Sequence, residues 1–136
     1  MANTLKLEIV TPEAVTFSEN VDMVTLPGVD GEMGIYPMHV PLMTQIMPGE
    51  ITIRRNGQES FLAVGEGFVE ITGENVSVLT DMAIAADSID EATADAARKR
   101  AEARLAEKLS DEEAVVVQAA LANSLAQLDV KRRRRH

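Results

Sequence analysis

The reactive side chains of this 136-residue chain leave three kinds of chemistry open, and each needs its groups brought together. Acid–base work needs a carboxylate or histidine within hydrogen-bond reach of another polar group. The candidates are Glu32, Tyr36 and His39, gathered in Gly31-Glu32-Met33-Gly34-Ile35-Tyr36-Pro37-Met38-His39-Val40-Pro41-Leu42, and the carboxylates Glu66, Glu70 and Asp81. Nothing in the spacing pairs the last three, and solvated strand faces explain them better. Metal binding needs several convergent ligands, but the only histidines are His39 and His136 and there is no cysteine. Nucleotide hydrolysis needs a glycine-rich phosphate loop, and the sequence has none, nor any Ser or Cys nucleophile motif. The chain is therefore expected to be no enzyme, with no metal and no cofactor.

What remains is binding chemistry. Glu32 would present a carboxylate from a segment bracketed by Gly31 and Gly34, with Met33 beside it and His39 further along. Four methionines (Met33, Met38, Met43, Met47) lie in or just after this segment, and thioethers adapt to irregular partner surfaces or fill a core equally well. A second group is cationic: Arg98, Lys99, Arg100, Arg104 and Lys108. Arg100, Arg104 and Lys108 recur every fourth residue and would line one helix face. That face is either a solvated flank or a contact for an acidic partner.

The elements that position these residues fall into two grammars. Leu5, Leu7 and Ile9 alternate with polar residues, the period of a half-buried strand. Short strands are predicted at Val15 to Phe17, Val21 to Leu26, Leu42 to Ile46, Ile51 to Ile53, Phe61 to Val64, Phe68 to Ile71, Val76 to Thr80 and Met82 to Ala85. Pro27-Gly28 closes the second of these. The Gly31–Leu42 segment reads as a stiff loop, because Pro37 and Pro41 lack amide donors and glycine reaches positive φ without strain. Asn56-Gly57 is the strongest hairpin signal. About ten short strands at this spacing predict an antiparallel β-sandwich over residues 1–86.

From Asp87 the composition turns to Ala, Arg, Lys, Glu and Leu without Gly or Pro, which is helix composition. Ser88-Ile89-Asp90-Glu91 and Ser110-Asp111-Glu112-Glu113 both read as capping boxes. Two helices are predicted, to Leu109 and to about Val130, forming an antiparallel hairpin over residues 87–136. The apolar face of the first comprises Ala92, Ala96, Leu105 and Leu109, and that of the second Ala114, Val117, Leu121, Leu125 and Leu128. Lys131 to His136 is a basic tail, expected to be frayed and solvated.

Charge divides the chain in the same place. Residues 1–85 hold twelve acids against three bases, and residues 86–136 hold ten of each. The acidic front half argues against nucleic acid as a partner. No run approaches the length of a membrane-spanning helix, and the first residues lack the apolar core of a signal peptide.

The segment Gly31 to Leu42, with its two glycines, two prolines, Tyr36 and His39 at fixed spacing, resembles the hallmark of the epsilon subunit of bacterial F-type ATP synthases, homologous to the mitochondrial delta subunit. The resemblance extends over the whole chain. It implies a non-catalytic central-stalk subunit that couples gamma to the c-ring, peripheral to the cytoplasmic face of the bacterial inner membrane. It places Gly31, Glu32, Met33 and His39 against the c-ring and gamma. Arg98, Arg100, Arg104 and Lys108 would meet an acidic motif of the catalytic beta subunit, through which an extended hairpin would inhibit ATP hydrolysis. Some family members bind regulatory ATP through a motif of Ile or Leu, Asp, two variable residues, Arg and Ala. Ile89, Asp90 and Ala94 match, but Thr93 takes the arginine position, which removes a phosphate or base contact. Without the resemblance, the layout also suits an unrelated adaptor: a sandwich recognition domain with a helical oligomerisation hairpin.

Overall fold

The computed structural model describes residues 4–134. Ten strands come first: β1 (Leu5–Val10), β2 (Val15–Val21), β3 (Met23–Gly28), β4 (Gly31–Ile35), β5 (Leu42–Ile46), β6 (Gly49–Arg55), β7 (Gln58–Val64), β8 (Gly67–Thr72), β9 (Asn75–Thr80) and β10 (Ala83–Ala85). A 3-10 turn, Ala86–Ser88, leads to helices α1 (Glu91–Leu105) and α2 (Asp111–Arg133).

The strand order is β10-β7-β6-β3-β5-β8-β9-β1-β2, with β4 also on β3. β3 and β5 meet at a single pair, Gly28 with Ile46, so the sheet folds there into two layers. On the far side Arg55 pairs with Glu19 and the Asp22 amide donates to the Arg54 carbonyl, which draws β2 towards β6. Leu5, Leu7, Ile9, Leu26, Ile51 and Ile71 are among the fully buried residues between the layers. The predicted alternation is thus realised, with one pairing of the other sense: β1 runs parallel to β9, Leu7 opposite Val76 and Ile9 opposite Val78.

Several expectations need correction. Gly31 to Ile35 is a strand, not a loop. Met33 stands opposite Leu26, half-buried against the core, and Ile35 stands opposite Val24, inside it. The turn lies one step earlier, at Val29-Asp30, and Gly31 leaves it at φ +122°. Pro27 stays within β3, because its missing amide is not needed there and its carbonyl accepts the Met47 amide at 2.8 Å. β2 continues through Val21. The break falls at Asp22, whose carboxylate accepts the Asn56 amide at 2.9 Å. The Asn56-Gly57 hairpin is present, with both residues at positive φ, the geometry of a two-residue turn matched to strand twist.

The helices differ from expectation at three ends. No capping box forms at Ser88. Ile89 is held extended and buried against the sandwich, so α1 starts later, with Asp90 as its N-cap and the Thr93 hydroxyl bonded to the Asp90 carboxylate. That start sets the helix phase: Ala94 and Ala101 are buried while Ala92 and Ala96 are exposed. α1 also stops at Leu105, four residues early. α2 runs past Val130 to Arg133, so Lys131, Arg132 and Arg133 are helical rather than frayed; Arg135 and His136 lie outside the described residues. The capping box at Ser110 does form: the Glu113 amide donates to the Ser110 hydroxyl and the Ser110 amide to the Glu113 carboxylate, each at 3.1 Å.

That box makes α2 acid-sensitive. The Ser110 amide, then its hydroxyl, and more weakly Arg104, hold the Glu113 carboxyl below the ordinary carboxylate range. A lowered folded-state pKa gives stabilisation that is present at neutral pH and disappears as pH falls through that lowered value. The protection factor of the Ala114 amide, which donates to the Ser110 carbonyl, should therefore fall on acidification in the parent chain, and much less in Glu113→Gln. An equal fall in both would rule the box out as the cause.

Candidate functional site

The two layers have different outer faces. On the β10-β7-β6 layer, α2 lies across the sheet, and α1 packs on α2 rather than on the sandwich. Val130, Ile89, Ala86 and Ala63 form a small buried seam, edged by Phe61, Met82 and Ile84. Ala126 and Val130 face the sandwich, while Ser124 and Leu128 are buried on the opposite side, where α1 lies. Leu125, expected in the apolar face, is exposed, because it falls between these two sides. At the other end of the seam Asn123 donates to Asp81 at 3.5 Å. Near the chain end Arg134 bonds Glu50 through two nitrogens and Arg132 pairs with Glu91.

The β8-β9-β1-β2 layer has nothing over it among the described residues. There Phe68 stands opposite Leu79, Leu79 opposite Val10, and Val10 opposite Val15. This makes an apolar row across four strands, with Phe68 58%, Leu79 55% and Val15 57% exposed. A cavity of 370 Å³ lined by Val10, Thr11, Pro12, Leu79 and Thr80 adjoins it. Met43, opposite Glu70 on β5, extends the same face. Contiguous exposed apolar rows of this kind mark partner surfaces. The signal for them was parity: Val69, Ile71, Val76 and Val78 point inwards, which obliges Phe68 and Leu79 to point out.

The predicted front-half residues divide between structure and surface. Gly31 and Glu32 are exposed at the β3–β4 turn, Glu32 opposite Pro27. Met33 is half-buried and packs against the core, over Gly28. His39 lies in the connection between β4 and β5, where its Nδ1 donates to the Val40 carbonyl at 2.7 Å. A carbonyl only accepts, so Nδ1 carries the proton. Tyr36, Met38 and Val40 around it are exposed, and Met38 is at φ +68°. The site is a corner with one carboxylate, one tethered imidazole and several apolar side chains, suited to docking rather than proton transfer.

The predicted cations do not act as one cluster, and Lys108 lies beyond the end of α1 at Leu105, so it does not continue a helix face with Arg100 and Arg104. Arg98 pairs with Asp95 and Glu102, both at 2.7 Å, and Lys99 reaches Asp95 at 3.2 Å. Hydrogen bonds from Arg98, then from Lys99, hold the Asp95 carboxyl below its ordinary range, with their charges adding less. Arg104 pairs with Glu107 and Glu113. Arg100 and Lys108 are exposed and make no ion pair with any described residue. Ile89 belongs to the seam, and the Asp90 carboxylate is engaged by Thr93. Among the described residues no group of His, Cys, Asp and Glu could hold a metal ion, and no helix is long and apolar enough to cross a membrane.

Comparison with known proteins adds to this geometry. Residues 4–86 match the family described as ATP synthase, Delta/Epsilon chain, beta-sandwich domain. Residues 87–132 match the long alpha-helix domain of the same chain. The ATP synthase epsilon chain of Laribacter hongkongensis is 42% identical over 139 residues, covering 98% of this chain and 99% of that one. That of Desulforamulus reducens is 47% identical over 111 residues, covering 82% and 84%. In fold, the chain is similar to one in the Euglena gracilis mitochondrial ATP synthase, with a TM-score of 0.74 at 20% identity, over 93% of this chain and 79% of that one.

Proposed function

The chain belongs to the ATP synthase delta/epsilon family, and on that footing we propose that it is a non-catalytic rotor subunit whose sandwich joins gamma to the c-ring and whose hairpin is a mobile brake on ATP hydrolysis. The observation that carries the reading is the contrast between its two kinds of contact. The sandwich closes its own large core without the hairpin. The hairpin is held by a small seam of four buried residues, two of them alanines, edged by Phe61, Met82 and Ile84, with Ala126 beside it, and by polar contacts near its ends. Burying an alanine contributes far less than the roughly 1.5–3 kcal/mol of a larger apolar side chain. Such a seam is weak enough for a partner to displace, and α2, at 23 residues, is long enough to keep part of its helicity when released.

In this reading the bare row of Phe68, Leu79, Val10 and Val15, continued by Met43, takes gamma. The corner of Gly31, Glu32, Met33 and His39 takes the c-ring loops and the adjoining part of gamma. Glu32 offers the charge, while Met33 fixes the turn from inside. When extended, the hairpin brings Arg98, Arg100, Arg104 and Lys108 to an acidic motif on the catalytic beta subunit. Arg100 and Lys108 do so directly, whereas Arg98 and Arg104 must first exchange the acids they hold. ATP is no part of the proposal: Thr93 replaces the motif's arginine and occupies Asp90. The chain would be peripheral to the membrane, at the cytoplasmic face of a bacterial inner membrane, through its partners.

The test is ATP hydrolysis by a complex depleted of this subunit, titrated with the full chain and with a chain ending at Ala86. The full chain should inhibit. The truncated chain should bind with similar affinity and leave hydrolysis at the depleted rate. Inhibition by both would remove the brake from the hairpin, and binding by neither would remove the rotor reading.

A further inference from the structure

Glu50 is an anomaly. It lies on a sandwich half with a large acidic excess, and its side chain is only 8% exposed. A carboxylate this far out of water is costly unless it is paired. Its partners come from the far end of the chain. Arg134 Nε donates to Oε2 at 2.9 Å and Arg134 Nη2 to Oε1 at 2.7 Å. Arg133 adds a longer bond to Oε1, at 3.3 Å. The Arg134 guanidinium carbon stands 3.7 Å from the centroid of the Phe61 ring.

We infer that Glu50 and Phe61 form a guanidinium-binding box on the sandwich, selective for arginine over lysine, with Arg134 as its resident ligand. Two demands are met together there: a fork of two parallel N–H donors on one carboxylate, and a flat cation stacked on a ring. A guanidinium satisfies both, whereas an ammonium is a point charge that satisfies neither fully. The receptor half needs no help from the helices. Glu50 pairs with Ala63 and Thr52 with Phe61 across β6 and β7, so Glu50 and Phe61 are two positions apart on one outer face of a rigid ladder. The adjoining cavity of 390 Å³, lined by Glu59, Ser60, Phe61 and Asp87 among others, adds negative charge. Whenever the end of α2 lifts, the box is vacated and can take an arginine from another chain. Resident and incoming arginine exclude one another.

That a vacated box frees the whole hairpin depends on the mobile-arm reading above; its selectivity does not. The experiment is amide hydrogen exchange on the isolated full-length chain, read at residues 128–134 and separately at 117–121. Arg134→Ala should speed exchange at 128–134 by about tenfold or more, as expected for losing charge-assisted bonds to a sequestered carboxylate. Glu50→Gln should do the same, and Arg134→Lys should resemble Arg134→Ala more than the parent. Arginine amide should speed exchange in the parent beyond lysine amide at equal ionic strength, and the difference should vanish in Glu50→Gln. Parent-like exchange in Arg134→Lys or in Arg134→Ala would overturn the box, as would equal effects of the two amides. If residues 117–121 accelerate in step, the clasp governs the whole arm. If only 128–134 respond, the box stands and the mobile-arm reading fails.

Discussion

On the rotor reading proposed above, replacing Phe68 and Leu79 together by glutamate should weaken binding to gamma by about a hundredfold or more. Central apolar anchors in a protein interface each contribute about 2 kcal/mol or more when truncated, and two carboxylates would also have to be desolvated. Both side chains are more than half exposed and point away from the core, so the cost to folding is confined to the lost pair and to two carboxylates facing each other across β8 and β9. The thermal midpoint of the isolated chain should fall by no more than about 8 °C. Titration calorimetry against gamma, with a melting curve on each variant, checks both halves. Unchanged affinity would transfer the role to the corner around Tyr36, Met38 and Val40.

Gly67→Ala should be the most destabilising single methyl in the sandwich. A Cβ there would fall 1.9 Å from the Leu79 carbonyl oxygen and 2.8 Å from the Thr80 Cα. These are backbone atoms of a paired strand, with Gly67 opposite Thr80 on one side and Ile46 on the other. No side chain can turn aside to make room, so β8 and β9 must part. Overpacking of this kind costs about 3 kcal/mol or more, which lowers the midpoint by roughly 10 °C in a chain of this size. The effect should appear equally in a chain ending at Ala86, since the clash lies wholly within the sandwich. A midpoint within about 2 °C of the parent would mean that the two strands separate at little cost.

Much of the fold could be read from side-chain periodicity. Leu5, Leu7 and Ile9, or Val76 and Val78, place one face of a strand inside without any tertiary knowledge. Asn56-Gly57 and Ser110-x-x-Glu113 are local devices whose chemistry is complete within four residues. What periodicity could not supply was anything that depends on a distant partner. Gly31 to Ile35 looks like a loop until β3 is laid beside it, because two glycines weaken the alternation that Met33 and Ile35 still carry. Ser88 fails as a cap because Ile89, one residue on, is drawn into a seam with Val130. The basic tail reads as solvated because nothing local announces that Glu50, more than eighty residues earlier, takes its partners from there. The candidate surfaces follow the same division. Glu32 and His39 stood out by type and spacing, whereas the row of Phe68, Leu79, Val10 and Val15 exists only once four strands are in register.

The parallel pairing of β1 with β9 also fixes an order of events during synthesis. β1 and β2 can form a hairpin as soon as both have been made, but β1 has no second neighbour until Asn75 to Thr80 have been added. At roughly 5–20 residues per second, that interval is on the order of several seconds. During it one edge of β1 carries unpaired backbone groups next to Leu5, Leu7 and Ile9, the composition that invites pairing with another nascent chain. Lys6 and Glu8 alternate with those residues, so each polypeptide brings charge to any such encounter. Neutralising both should lower the soluble yield from the ribosome, even where the purified product melts as before.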